Sequence, residues 1–307
     1  MTGRRHRKLL SDYVAKAGTE FSVPAFLLLK QCNLLFFNMS LLFSYKIHKE
    51  IMGCTYDQFI ELSKIPFNNS KKFDRLFPVV QDVMVKLQAL KYHLSNYENK
   101  EKSHIDHIAV KYESFPNVTH SAYDLLFELE AFLFQFKSTL DISVKIIEVL
   151  LPKRFKTHTF GKKGELLIKG LNNYLNDKAA RKDTVSRLVK MLEYDKTSWL
   201  EQIINLRDTI SHYKTFNDYN YHAKIINDNL EIIKPLLPGI EVEAYEYMQI
   251  SYYNCLDFVR DFISLSIELI LPPGVYIDLI DTYHAGPQPI DHLKYGLYFR
   301  NNKPPQE

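Results

Sequence analysis

The stretch Leu206, Arg207, Asp208, Thr209, Ile210, Ser211, His212, Tyr213 sets an arginine five positions before a histidine, with an acidic residue directly after the arginine. A guanidinium is always charged and presents a planar fork of donors that matches phosphate oxygens. An imidazole gains and loses a proton near neutral pH. The chemistry these two suit is cleavage of RNA. Histidine removes the ribose 2′-hydroxyl proton or protonates the leaving 5′-oxygen, while arginine neutralises charge building on the phosphate. Because the 2′-oxygen is itself the nucleophile, the reaction requires no metal and no cofactor, and its products are a 2′,3′-cyclic phosphate and a 5′-hydroxyl.

The element that must position these groups is an amphipathic helix over 198–212. At 100° per residue, Trp199, Ile203, Leu206 and Ile210 fall within about 60° of one another and form its core stripe. Arg207 lies at the edge of that stripe. Asp208 and His212 are four apart and share a face away from it, so Asp208 could accept a hydrogen bond from His212, fix its tautomer and raise its basicity. Arg207 and His212 stand about 140° apart on an ideal helix. A straight helix does not aim both at one phosphate, so either the helix loosens near Ser211 or a second copy of the chain completes the site.

With Arg207, Asp208 and His212 in this order, the segment resembles the R-x4-6-H signature of HEPN-domain proteins, in which a polar residue commonly follows the arginine. The resemblance covers residues 118–271. It implies a four- or five-helix bundle acting as a homodimer with a composite active site. It also implies a metal-independent endoribonuclease of toxin or anti-phage defence type, with a possible antitoxin or activating partner. Carried over to this chain, Arg207 stabilises the scissile phosphate, His212 is general acid or base, and Asp208 orients His212. The chain departs from one toxin subgroup, which has a tyrosine two residues after the histidine. Here Tyr213 follows at once and Lys214 takes the other place. Tyr213 and Lys214 are candidates to contact RNA, as are Arg154 and Lys156 in the basic stretch that runs from Lys153 to Lys163.

Two rival readings start from the same residues. A non-catalytic helical adaptor that binds a partner protein or RNA would engage Arg207 in an intramolecular salt bridge. A silent HEPN protein would await a signal sensed by residues 1–115.

The rest of the sequence predicts an all-α protein: an additional N-terminal helical region over 1–115, the HEPN-like bundle over 118–271, and an extended proline-containing tail over 272–307. Ten glycines against 20 phenylalanines and 20 tyrosines in 307 residues favour long helices over tight turns. Helical spacing marks 74–97, and an apolar-rich helix over 123–151 is hydrophobic around most of its circumference, as at a bundle centre or a subunit interface. Shorter helices are expected over 165–175 and 183–192, with Asp183 as a cap. Thr197 or Ser198 would cap the motif helix, and Thr55 a helix nearer the start. A last long helix over 243–271 shows a polar stripe through Glu246, Gln249, Asp257, Asp261, Ser264 and Glu268. The polar run 98–107, followed by Pro116, predicts a linker.

The net charge of +3 does not by itself indicate a nucleic-acid binder. Cys32, Cys54 and Cys255 have no metal-ligand spacing and suit a reducing cytoplasm. The hydrophobic run 25–45 contains Lys30, Gln31, Asn33 and Asn38 and is expected to be a buried helix, with no membrane association. His104 and His107 read as solvated linker residues, Tyr247, Tyr252 and Tyr253 as core, and Glu128, Glu130, Asp141 or Glu148 as carboxylates able to reach Arg207.

Overall fold

A computed structural model of the chain describes residues 51–67, 70–114, 119–151, 159–161, 164–177, 180–212, 219–227, 229–280 and 293–299. All of these belong to one compact unit, Lys49–Glu307. The fold is mostly helical. The hydrophobic run 25–45 lies outside the described residues. Among those described, no helix is long and apolar enough to cross a membrane.

Helix α1 (Gln58–Ser63) is entered through a wide π turn, Met52–Asp57. Thr55 therefore does not cap a helix. Its hydroxyl donates to the Ile51 carbonyl at 2.7 Å from within the turn. Helix α2 (Lys71–Ser114) follows and runs for 44 residues. Leu76, Val80, Val83, Leu87, Leu90, Leu94 and Tyr97 are all buried at three- and four-residue spacing. Residues 98–107, expected as a linker, are helical throughout. Their polarity misleads because it is used: Glu101 is buried and bonded, and the helix needs only one face apolar.

Helix α3 (Tyr123–Leu150) returns along α2. Four cross-links fix the antiparallel register. Lys72 reaches the Leu150 carbonyl at 3.4 Å, Lys86 reaches Gln135 at 3.0 Å, His93 meets Glu128 at 2.7 Å, and His104 meets Asp124 at 3.1 Å. Burial tends to raise the Glu128 carboxyl, but hydrogen bonds from His93 and Lys100 outweigh it and hold the group below its ordinary range.

Helix α4 (Glu165–Tyr174) begins at Gly164, which adopts φ 74°. A Cβ at this position would lie 2.8 Å from Cζ of the buried Phe160 ring. Gly164→Ala is expected to lower stability by about 2 kcal/mol, because it meets both a left-handed backbone and a clash with a core ring. A urea midpoint that does not fall would show that Phe160 moves aside freely.

Helix α5 (Lys182–Asp195) passes through a π turn, Lys196–Leu200, into α6 (Glu201–His212). The expected caps are absent for this reason. Thr197 donates to the carbonyls of Glu193 and Tyr194 inside the continuing helix, Ser198 donates to the Asp195 carbonyl, and Asp183 lies in the first turn of α5 behind an Arg181 N-cap.

An all-α chain was the expectation; the described residues are mostly helical, and five short strands accompany the helices. Strands β1 (Thr119–Ser121), β2 (Asn220–Ile226) and β3 (Asn229–Ile233) form an antiparallel sheet with β2 central. Tyr221 and Ala223 alternate inward, and Asn227 turns the hairpin at φ 52°. Helix α7 (Ala244–Glu268) packs on α1, α2, α3 and α5. Its polar stripe is solvent-facing at Glu246, Gln249 and Asp257, but Ser264 and Glu268 are buried, because α5 and the chain after α7 cover its end. The tail is not simply extended. Strands β4 (Val275–Leu279) and β5 (Tyr295–Phe299) pair antiparallel. The buried Gln58 amide holds β5, donating to the Tyr295 carbonyl at 2.8 Å and accepting from the Lys294 and Tyr295 amides at 3.0 and 2.9 Å.

Candidate functional site

Helix α6 presents Ile203, Ile204 and Leu206 to the core, below Leu200 of the π turn, and packs against α3. The stripe is thus shifted from the one the sequence predicts, since Trp199 and Ile210 are only half-buried. The π turn widens the backbone just before α6 and rotates Trp199 relative to the residues that follow. Its indole still packs edge-on against Phe136 and Phe258 and donates to Asp195 at 2.9 Å.

Arg207 stands at the edge of the buried stripe, as its helical angle requires, with a quarter of its side chain exposed. Its Nη1 donates to Asp208 Oδ1 at 2.9 Å. Its guanidinium carbon lies 4.9 Å from the centroid of the Phe134 ring. Aromatic stacking on one side and a carboxylate on the other fix the plane of the group. Asp208 was expected to serve His212, but the contact it makes among the described side chains is to Arg207.

The helix runs unbroken through His212, so the loosening considered near Ser211 is not present. Of His212 only the backbone is described. Its side chain lies outside the described residues, as do Tyr213, Lys214, Arg154 and Lys156. The carboxylates considered for Arg207 are engaged elsewhere where their contacts are described. Glu128 serves His93 and Lys100, and Asp141 accepts from Lys137 at 2.5 Å and from the Phe160 amide at 2.9 Å.

Phe134 was not singled out by sequence reasoning, yet a signal for it existed. Tyr123, Phe127 and Phe134 fall within about 40° of one another on α3. They are 59%, 62% and 38% exposed. The apolar circumference of α3 is thus only partly consumed by the core, and its open stripe ends at the ring beneath Arg207.

Other candidates resolve simply. Tyr247 and Tyr252 are core, while Tyr253 is half-exposed, with Lys91 lying between the Tyr252 and Tyr253 rings at 4.9 and 5.9 Å. His104 and His107 are not in a linker. Both stack edge-on against His120 of β1, at 4.6 and 5.6 Å between centroids. Desolvation and the neighbouring His104 push the His120 imidazole below its usual range, with Lys111 and His107 adding to the effect against the Ser121 carbonyl. Among the described residues, no set of three His, Cys, Asp or Glu side chains is arranged to hold a metal ion.

Comparison of the chain with protein families, with curated proteins and with solved structures finds no match.

Proposed function

We propose that the chain is a metal-independent endoribonuclease of HEPN type, cutting RNA to 2′,3′-cyclic phosphate and 5′-hydroxyl ends in a toxin or defence role. The observation that carries this reading is the setting of Arg207. Its guanidinium is held in a fixed plane by Phe134 and Asp208 at the partly exposed edge of α6, five residues before His212 on the same helix. A pre-oriented guanidinium stabilises charge on a transferring phosphoryl group without reorganising at the moment of reaction.

A second reading has one observation in its favour. The Arg207–Asp208 pair is the intramolecular salt bridge that a non-catalytic adaptor would use. It does not weigh heavily against catalysis. Arg207 and Asp208 are 25% and 38% exposed, and ion pairs at such sites contribute little. A phosphate can displace the carboxylate, and the ring beneath still holds the plane.

The site is half of a composite one in this proposal. Arg207 and His212 lie on different faces of one helix, so two copies of α6 would face each other across a two-fold axis. The open stripe Tyr123, Phe127 and Phe134 offers an apolar surface for that contact, continuous with Arg207 through Phe134. Phe127→Glu is accordingly expected to convert a dimer to a monomer in sedimentation velocity, with loss of cleavage, since 127 is exposed and the fold does not depend on it. A monomeric unmodified chain that still cuts RNA would remove the composite site.

The direct test is incubation of the purified chain with single-stranded RNA in EDTA, with the ends of the products identified. Cleavage to cyclic phosphate ends is expected. Absence of cleavage, together with retained RNA or protein binding, would favour the adaptor.

A further inference from the structure

We infer that the imidazoles of His104, His107 and His120 form an acid-sensitive latch that holds β1 on α2. Strand β1 is three residues long, and in its sheet it pairs with β2 alone. Its ring contacts with α2 run through His120. That ring meets His104 edge-on at 4.6 Å and His107 edge-on at 5.6 Å between centroids, and these two partners lie one turn apart on α2. His104 also packs against Tyr221 at 6.0 Å, and Tyr221 is the residue opposite His120 in β2. The cluster therefore joins α2, β1 and β2 at one place, independently of the reaction proposed for Arg207 and His212.

The stack suits neutral rings. His104 Nε2 donates to Asp124 Oδ1 at 3.1 Å, and His120 Nδ1 donates to the Ser121 carbonyl at 3.1 Å. Each ring thus uses one N–H and, when neutral, carries no proton on its other nitrogen. Neutral rings attract edge to face, whereas imidazolium rings at the same spacing repel. The surrounding charges do not compensate three added protons. Lys111 of α2 and Asp124 of α3 cancel one another while the imidazoles are neutral. Tyr221 of β2 is uncharged and donates to Glu101 of α2, a carboxylate already paired with Lys234. His222 of β2 is bonded to Thr119 at 3.1 Å, on the other face of the sheet from His120. Full protonation of the stack therefore leaves three positive charges for which these elements hold no further anion.

Protons bind better once the latch is open. Desolvation, foremost, and the adjoining His104 hold the His120 imidazole below its ordinary range in the closed arrangement. A group held down in the fold stabilises it fully above its ordinary value, about 6.5 for an imidazole, and that stabilisation is lost as the pH falls through the folded value. Acid thus releases β1 from α2 and, with it, one flank of β2, the first strand after the motif helix.

Amide hydrogen exchange of the full chain at about pH 7.5 and about pH 5.5, each corrected for intrinsic exchange rates, tests the latch. Protection over 119–122 and 220–223 is expected to fall at least about tenfold at the lower pH, while the α3 core over 132–147 keeps its protection. His120→Phe keeps a flat ring in the stack but takes up no proton. It should hold the protection of β1 at the lower pH to within about twofold of its value at the higher one. His222→Gln, on the other face, should leave the fall as in the unaltered chain. His107→Gln alters an exposed side chain and removes one of the three charges, so it should shrink the fall to about threefold. This variant decides the matter if His120→Phe has already lost β1 protection at the higher pH. Equal protection of the unaltered chain at both pH values would overturn the latch. So would a fall undiminished in His107→Gln, or one in a folded His120→Phe as large as in the unaltered chain.

Discussion

His212→Ala is expected to lower RNA cleavage by about 10²–10⁴-fold, the usual contribution of a positioned acid or base, while far-ultraviolet circular dichroism and the thermal midpoint stay as in the unaltered chain. Among the described side chains of α6, the buried ones are Ile203, Ile204 and Leu206, all upstream of the substitution. Arg207→Ala should be as damaging to cleavage, and it also uncovers Phe134. Arg207→Lys discriminates between roles. Lysine keeps the charge but has no planar fork and stacks poorly on a ring, so rescue should be slight if the guanidinium plane set by Phe134 matters. Cleavage that survives both His212→Ala and Arg207→Ala would eliminate the proposed reaction and leave the adaptor.

The sequence carried the long helices well and their interruptions poorly. Leu76 to Leu94 and the residues of α3 repeat at helical spacing over many turns, and such a signal survives local noise. What failed were inferences from single polar residues. Thr55, Thr197 and Ser198 resemble caps, yet each bonds to a carbonyl three or four residues earlier inside a continuing turn. A π turn has no distinct composition, so its phase shift at 196–200 could not be anticipated, and with it the inward turn of Leu200 and Ile204. The strands were hidden for another reason. They are three to seven residues long, and the alternation of Tyr221 and Ala223 is too brief to stand out beside helices of 28 and 44 residues.

At the site, the edge position of Arg207 was legible because it follows from helix geometry alone. The Phe134 platform was not, since it requires knowing which turn of α3 lies beside α6. The Arg207 contact of Asp208 was likewise not anticipated, while the expected contact with His212 falls on a side chain outside the described residues. Position 212 is on its face, but the neighbouring guanidinium is long enough to fold back to it. Glu268 illustrates the converse. It continues the polar stripe of α7 by spacing, yet elements far along the sequence bury it and leave one oxygen without a donor.

The largest stability loss is expected from Glu101→Ala, in the stretch whose polarity suggested a linker. Glu101 is 5% exposed. One of its oxygens accepts from the Tyr221 hydroxyl at 2.7 Å, and the other from Lys234 at 3.1 Å. Tyr221 and Tyr219 meet Tyr97 at their hydroxyls, and Lys234 also pairs with Glu243 at 3.0 Å. Burial, foremost, and the neighbouring carboxylate and phenols push all three tyrosine hydroxyls well up, so they remain donors. Burial pulls Lys234 down, but the hydrogen bonds it donates to Glu243 and Glu101 outweigh it and keep the ammonium charged. Removing the Glu101 carboxylate strands a buried phenol and half-strips a cation. Breaking a buried pair costs about 3–5 kcal/mol, and the lower end applies because Lys234 is a quarter exposed and retains Glu243. A fall of about 3 kcal/mol in urea unfolding, with an unchanged denaturant slope, is therefore expected. Glu101→Gln, which keeps an acceptor for Tyr221, should lose about half as much. The network ties the second half of α2 to β2, and β2 is the first strand after the motif helix. If Glu101→Ala left the midpoint unmoved, Lys234 and Glu243 would be holding β2 and β3 without it, and α2 beyond Tyr97 would be dispensable to the support of the motif.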